Sequence, residues 1–466
     1  MHLRILWATS LTLSFFSGLV SGGDSVTGLA SADPNDTIYR DVVVIGGGST
    51  GTYTAVRLRD YNNTVAVIEK KDFLGGHAET YVDPTTNYTI NLGVVVFAQL
   101  KVVTDYFARF NVPIEPLAAW GTNEYVDFAT GKAVNYTPPS SEAFGAALTT
   151  YTTHLEKYPA LQGSFNLTYP VETDLLLTFG EFVDKYNLSD MVPQTFRVNQ
   201  GFAPLLNISM LYMFKYLNSD EIDSLAQGFL TTTRHDTQEL YRQATAFLGS
   251  DSVFLNSSVL SMDRSGSGVQ VRVQTPAGPK LIVAKKLVST PPPLVANLAG
   301  YDLSGDETAL FGQFFANGYY GGVINNTGFD VSLSNAGPGQ PYDVPTLPGP
   351  YAFTMNQGLA LVHYGSPTVL PEEDVKADIL ATVERIREAR GIVTDAAPEW
   401  LAFVSHAPFN LMVSNEAIQD GFYEKLFALQ GRRNTFYNGA VWHTQDSSVL
   451  WQFTEDYVLP ILLAAL

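Results

Sequence analysis

The chain of 466 residues contains no cysteine. This excludes disulfides, thiolate nucleophiles, cysteine-ligated zinc, iron–sulfur clusters and any cofactor attached through a cysteine. Charge is scarce too: 16% of residues are charged, against about 25% in ordinary soluble chains. Lysine and arginine together number 27 against 46 acidic residues, a net charge of −19. Such a field repels phosphate backbones and anionic lipid, so nucleic acid is not an expected partner. An acidic ligand would need a local exception to it. The seven histidines never fall at HxH or HxxxH spacing, so no metal site is expected from local sequence. What is abundant is apolar: 45% hydrophobic and 12% aromatic residues, enough for a large folded core and too much for disorder.

The first 23 residues have the pattern of a secretory signal. His2 and Arg4 precede a mostly apolar run, Ile5 to Val20, and small residues follow at 21–23. The run is too short and too rich in Ser and Thr for a good membrane span, and residues 24–37 form a polar linker. Export agrees with nine N-x-S/T sequons, at Asn35, Asn62, Asn87, Asn135, Asn166, Asn187, Asn207, Asn256 and Asn325. The apolar end, Val458 to Leu466, is also too short to span a bilayer and predicts a terminal helix docked on the core.

The rest reads as one α/β enzyme in two interleaved parts. Asp41–Ile45 is an apolar strand, a helix runs on to about Asp60, and Val65–Glu69 is a second strand: a βαβ opening. Residues 99–224 read as largely helical, with Thr178 and Glu181 spaced as a capping box. Residues 253–290 alternate as strands, with a hairpin tip at Asp263–Gly268. Aromatic strand-like runs fill 311–365. Pro371 to Arg390 is an amphipathic helix ended by Gly391.

The strongest chemical signal is DVVVIGGGSTGTYTAVRLRD, residues 41–60. Gly46, Gly48 and Gly51 have GxGxxG spacing between a strand and a helix. The first allows a tight turn, the second lets backbone approach a pyrophosphate, and the third permits close helix–strand packing. The helix start adds free N–H groups and the positive end of its dipole. Glu69, 18 residues past Gly51, is placed to accept from ribose hydroxyls and would repel the 2′-phosphate of NADP. A second glycine pair, Gly75-Gly76, exceeds the needs of a simple NAD domain and suits the longer FAD.

These motifs, with LGGH (74–77), INLGVVVF (90–97), SSVLSM (257–262), KLVSTPPPL (286–294) and NTFYNGAVWHTQDSSVLWQF (434–453), resemble the flavin amine oxidase superfamily. The tracts GGHAETYVDP, YFARFNVP and HTQDSSVLWQFTE resemble its group of secreted fungal beta-cyclopiazonate dehydrogenase-like enzymes, and more remotely polyunsaturated fatty acid isomerase. The resemblance spans roughly residues 40–466. It implies a Rossmann-type FAD-binding domain (38–98, 225–300, 431–466) interleaved with a substrate domain of mixed sheet plus helices (99–224, 301–430). It implies cofactor contacts at Gly46, Gly48, Ser49, Thr50, Gly51, Glu69 and Lys70. Further contacts are implied at Gly75, Gly76, His77, Gly93, Val94, Val95, Val259, Gly439, Ser447 and Ser448. In the family the second motif is usually GGR, and His77 stands here for the arginine. Gly439 is followed by Ala440 and Val441, not by the acidic residue of many amine oxidases, and the stretch QFFANGYYGG lacks their lysine. These departures count against amine oxidation in the strict sense.

The expected activity is FAD-dependent removal of hydride from a C–H bond of a small hydrophobic or aromatic substrate, by an oxidase, dehydrogenase or oxidocyclase. O2 is the electron acceptor in the oxidase form. A redox-neutral double-bond isomerase and a flavin-loaded binding protein without turnover are the alternatives. The first candidate base is His443, just past the C-terminal glycine turn, followed by His363 and His406. Phe97, Phe314, Phe315, Tyr319, Tyr320, Tyr364, Trp442 and Trp451 are candidates to line the substrate pocket.

Overall fold

The computed structural model describes residues 36–118 and 123–466. The predicted signal and most of the linker, with Asn35, lie outside the described residues. Two sheets carry the fold. The first has seven strands in the order 258–263, 269–275, 278–289, 37–45, 65–68 and 253–254, and 435–437 pairs with the end of 278–289. Its centre is parallel: Val42–Ile45 pairs with Val65–Ile68 on one side and with Lys286–Ser289 on the other. Residues 42–45 and 65–68 are buried on both faces, which is why they read as unbroken apolar runs. The opening strand, Thr37–Ile45, begins four residues earlier than the apolar pattern suggests.

Helix Ser49–Asp60 follows the first strand and packs against Gln238–Leu248 and the C-terminal helix Ser447–Phe453. Trp451 is the hub of this layer. It stacks on Tyr53 and Phe97 and meets Tyr106 edge-on, so helix Lys101–Arg109 joins the same core. The terminal helix Leu459–Leu463 docks here through Leu459 and Leu462.

The second sheet runs in the order 399–405, 318–325, 359–366, 349–356, 333–335, 124–127 and 132–133. Helix Glu372–Arg390 covers one face with Val375, Ile379, Val383 and Ile386, packed on Tyr320, Ile324, Val362 and Tyr364. Side chains alternate across a strand, so Tyr319, Gly321, His363 and Gly365 all face the other way, toward the first sheet. The helices between 141 and 227 form a separate apolar cluster at the side of this sheet. The Thr178/Glu181 capping box is present, starting helix Phe179–Tyr186. Among the described residues no helix is long and apolar enough to cross a membrane.

Candidate active site

The first glycine loop is shaped by two contacts within the chain. Gly46 has φ +93°, and a Cβ there would lie 2.3 Å from Thr290 Oγ1. A Cβ at Gly51 would lie 1.9 Å from the Gly46 carbonyl oxygen, so only glycine permits this helix–strand contact. Gly48 is different. Its φ is −66°, and a Cβ would meet nothing closer than Gly76 Cα at 3.9 Å. The chain itself gives no steric reason for glycine at 48; close approach of a pyrophosphate does. Thr50 is buried in the first turn of the helix, whose first amides have no intrahelical acceptors.

Glu69 is 7% exposed at the end of the second strand. Its Oε2 accepts from Gly47 N at 2.7 Å and its Oε1 from Lys71 N at 2.8 Å. The expected ribose acceptor therefore also braces the glycine loop, with lone pairs left for a sugar. Gly75 (φ +127°) and Gly76 (φ +62°) lay the next segment against that loop, and Gly75 N donates to Gly47 O at 2.8 Å. Lys70 is exposed, and Lys71 reaches back to Gly76 O and Glu79. Val259 follows closely: Ser257 N donates to Glu69 O at 2.8 Å, bringing 257–259 alongside the acidic residue.

The C-terminal motif returns to the same place. Strand Thr435–Tyr437 pairs with Leu287–Ser289, and Gly439 (φ +113°) turns the chain toward helix Ser447–Phe453. Ser49 Oγ donates to Ser447 Oγ at 2.9 Å, and Ala98 N donates to Ser448 Oγ at 2.9 Å. Both hydroxyls thus tie the helix to the glycine loop and to the 93–98 segment. Asp446 Oδ1 accepts from Ser448 N at 2.5 Å, so the helix mouth is partly answered from within the chain.

A cluster that no local motif announces stands at Leu92–Gly93. A Cβ at Gly93 would lie 2.0 Å from His77 O and 2.9 Å from His406 Cε1. His77 meets His406 edge-on at 4.7 Å and Phe409 at 5.8 Å. Tyr319 lies 5.6 Å from both His363 and His406. His406, 1% exposed, uses Nε2 to donate to Leu92 O at 3.2 Å, which leaves Nδ1 a bare acceptor without a partner. His363 Nε2 is also buried and unpartnered. Burial pushes His363 down to about 4. Burial, with Lys71 and Lys70 adding to it, does the same to His77. His406 falls well below the ordinary histidine value, through burial first and then through His77. All three are neutral imidazoles near pH 7. The strand expected here ends at Asn91, and Val94 and Val95 continue the chain as an irregular, half-buried segment. Among the described residues no group of three or more ligating side chains is placed to hold a metal ion.

The expected base, His443, is elsewhere. Its Nε2 donates to Gln162 O at 2.8 Å, its ring packs on Phe453, and burial and the nearby Lys215 depress it. The turn after Gly439 aims it into the helical layer, away from His77, His363 and His406. Of the eight proposed pocket aromatics, only Tyr319 stands with the histidines. Phe97 and Trp451 belong to the first core, Tyr320 and Tyr364 pack under helix 372–390, and Phe314 and Trp442 pack among the helices. Phe315 is 52% exposed. Sequence reasoning also missed Glu221. Burial and the adjacent Asp446, 225 positions away in sequence, push its carboxyl well above the usual range.

The donor set and the glycine cradle fit FAD. Residues 44–110 match the NAD(P)-binding Rossmann-like domain family. The FAD-dependent oxidoreductase oblC of Cochliobolus heterostrophus is 41% identical over 447 residues, 92% of each chain. Beta-cyclopiazonate dehydrogenase of Aspergillus flavus is 34% identical over 432 residues, 90% of this chain and 92% of its own. Among solved structures, the CLA-producing fatty acid isomerase from P. acnes aligns at TM-score 0.72 and 19% identity, over 90% of this chain and 98% of that one. A putrescine oxidase variant aligns at TM-score 0.65 and 14% identity, over 92% and 100%. The structural likenesses establish an amine oxidase-like fold, with a Rossmann part and a mixed-sheet part. At 41% identity over nearly its whole length, this chain belongs to the FAD-dependent oxidoreductases, enzymes whose cofactor is FAD.

Proposed function

We propose that the protein is exported and uses FAD to oxidise a C–H bond of a small hydrophobic or aromatic substrate, with O2 as final electron acceptor. The observation that carries this reading is the neutral histidine cluster with Tyr319, gathered around the Leu92–Gly93 segment. Bound FAD supplies the hydride acceptor. Gly48, the amides of the first helical turn and Glu69 would hold its phosphates and adenosine sugar, and His77 and Gly93–Val95 would lie at its reactive ring. His406 accepts the substrate proton at Nδ1, the imidazole nitrogen that nothing in the chain satisfies. Tyr319 and Phe409 exclude water and fix a flat substrate. This division of labour assigns the first sheet and its glycine loop to the cofactor and the second sheet to the substrate. Export is supported by the sequons: Asn62, Asn87, Asn135, Asn166, Asn187, Asn207 and Asn256 are all exposed.

A redox-neutral isomerisation is the second reading, drawn from the fold shared with the P. acnes fatty acid isomerase. The histidine cluster favours net oxidation, because a base that takes the proton leaves no reason for the hydride to return. The test is anaerobic mixing of holoprotein with lipid, amine and indole-containing compounds, followed by the yellow flavin absorbance. Substrate bleaches it, and air restores it with formation of peroxide. His406→Asn retains FAD and slows bleaching by about 100- to 1,000-fold, whereas His443→Asn stays within a few-fold of the parent. Equal rates in parent and His406→Asn would refute the assignment of the base. A product of unchanged mass would refute oxidation.

A further inference from the structure

Two cavities lie end to end beside the second sheet. The outer one, about 300 Å³, is walled by Tyr125, Tyr136, Pro138, Phe144 and Pro193. This is the lower end of the size range of small-molecule sites. The inner one, about 30 Å³, has room for about one water and acts as a throat. Phe196, Arg197 and Asn335 line both, so they mark the junction.

Tyr351 closes the inner end. Its ring packs on Phe196 at 4.8 Å, and its hydroxyl is buried without a partner. A Cβ at Gly365 would lie 2.4 Å from that hydroxyl, and Gly365 is two residues from His363 on the same face of the sheet. Gln200 lines the throat, and a Cβ at the next residue, Gly201, would lie 2.5 Å from Phe409. The Phe409 ring in turn contacts His77 and Tyr319. The cavities therefore end at the back wall of the histidine cluster, one side chain away from it.

The junction carries an unusual charge. Among the described residues, the half-buried Arg197 guanidinium has no hydrogen-bond or ion-pair partner, and its charge acts on Tyr136 across the cavity. Asp190 and Asp343 also line the outer cavity, but both are exposed, where water and salt screen them. Arg197 sits deeper, in surroundings of lower dielectric, where its field counts for more. In a chain of net charge −19 this is the local exception that an acidic ligand requires. The walls around it are ring faces and prolines, which suit a flat, conjugated body.

We propose that these cavities are the substrate's way in, and that Arg197 selects a planar, conjugated molecule bearing one ionised oxygen. A guanidinium presents parallel N–H donors to such a group, which lysine cannot copy. The proposal rests on the reading that the histidine cluster is the reaction site. It can fail separately, because its test needs no turnover.

The probes are 8-anilinonaphthalene-1-sulfonate, flat and anionic, and N-phenyl-1-naphthylamine, nearly the same ring system without charge. Binding to FAD-loaded protein is read from probe fluorescence and from the shift of the flavin absorbance. The anionic probe binds the parent and shifts the flavin spectrum. Arg197→Met weakens it by about 10- to 50-fold, Arg197→Lys by less, and neither alters the neutral probe or FAD content. Arg432→Met, at an exposed ion pair with Asp306, leaves both probes unchanged. Equal affinity of the anionic probe for parent and Arg197→Met overturns the proposal. So does equal weakening of the neutral probe, or anion binding that leaves the flavin spectrum untouched.

Discussion

Glu69 offers the sharpest test of how the cofactor is held. Its two carboxylate oxygens accept from two backbone amides, Gly47 and Lys71, in a nearly closed environment. Glu69→Gln keeps the size and one acceptor. Its NH2 group then faces the other amide, donor against donor. One charge-assisted bond is lost, and one buried N–H is left unsatisfied, costing about 3 kcal/mol together. Both bonds are made without FAD, so most of that penalty falls on the stability of the apoprotein, and Kd for FAD rises by about 10-fold as the loosened Gly47 shifts Gly48 from the proposed pyrophosphate site. Glu69→Ala loses both bonds and the sugar acceptor and binds more weakly still. The assay is titration of apoprotein with FAD, followed by quenching of flavin fluorescence, with denaturant unfolding of the apoprotein in parallel. Unchanged Kd in both variants would refute the reasoning. Unchanged Kd with lower apoprotein stability would reduce Glu69 to a loop brace and remove its sugar role.

The histidine cluster makes the fold acid-sensitive. His77 and His363 titrate near 4 in the folded chain against about 6.5 when unfolded, so their contribution is complete above about pH 6.5 and is lost as pH falls toward 4. Each accounts for about 3 kcal/mol over that window, while Glu221, shifted upward, works in the opposite sense. The stability gap between parent and His363→Asn, from denaturant midpoints, should therefore narrow between pH 6.5 and 4.5; a constant gap would contradict it. Treatment of exported protein with an N-glycanase should lower its mass by up to eight glycans and spare Asn325, which is half-buried with its Thr327 inside the fold. A mass unaffected by the enzyme would sink the export reading.

The nucleotide half was legible because its chemistry is local. Strand, glycine loop, helix and acidic residue lie within 41–69, and each apolar run there is buried as its pattern implies. The helix Glu372–Arg390 was readable for the same reason, its period matching the sheet face it covers. The base was not. His77, His363 and His406 come from three segments, and only the pairing of Gly318–Asn325 with Leu359–Ser366 brings Tyr319 and His363 together. Proximity to a glycine turn favoured His443, but one turn of backbone decides whether a ring faces the cleft or the helices. The aromatics misled for a related reason: the sheet has two faces, and alternation sends Tyr320 and Tyr364 to the covered one.

The histidine cluster and Arg197 make one chemical argument. Burial holds the His406 imidazole well below the ordinary histidine range, so it is always available as an acceptor at neutral pH, but it is a feeble base. Holding a proton there costs about 1.4 kcal/mol for every unit below the solution pH. Such a base suits a substrate whose proton is already acidic, and poorly suits an ordinary alcohol or amine. An ionised oxygen gripped by Arg197 eases the other half of the reaction, because negative charge conjugated to a C–H bond makes hydride departure easier. The missing lysine in 318–325 and the missing acidic residue after Gly439 then fall into place. Both would add charge where this chain keeps neutral rings, and the Arg197 guanidinium stands back at the throat, where it orients the substrate.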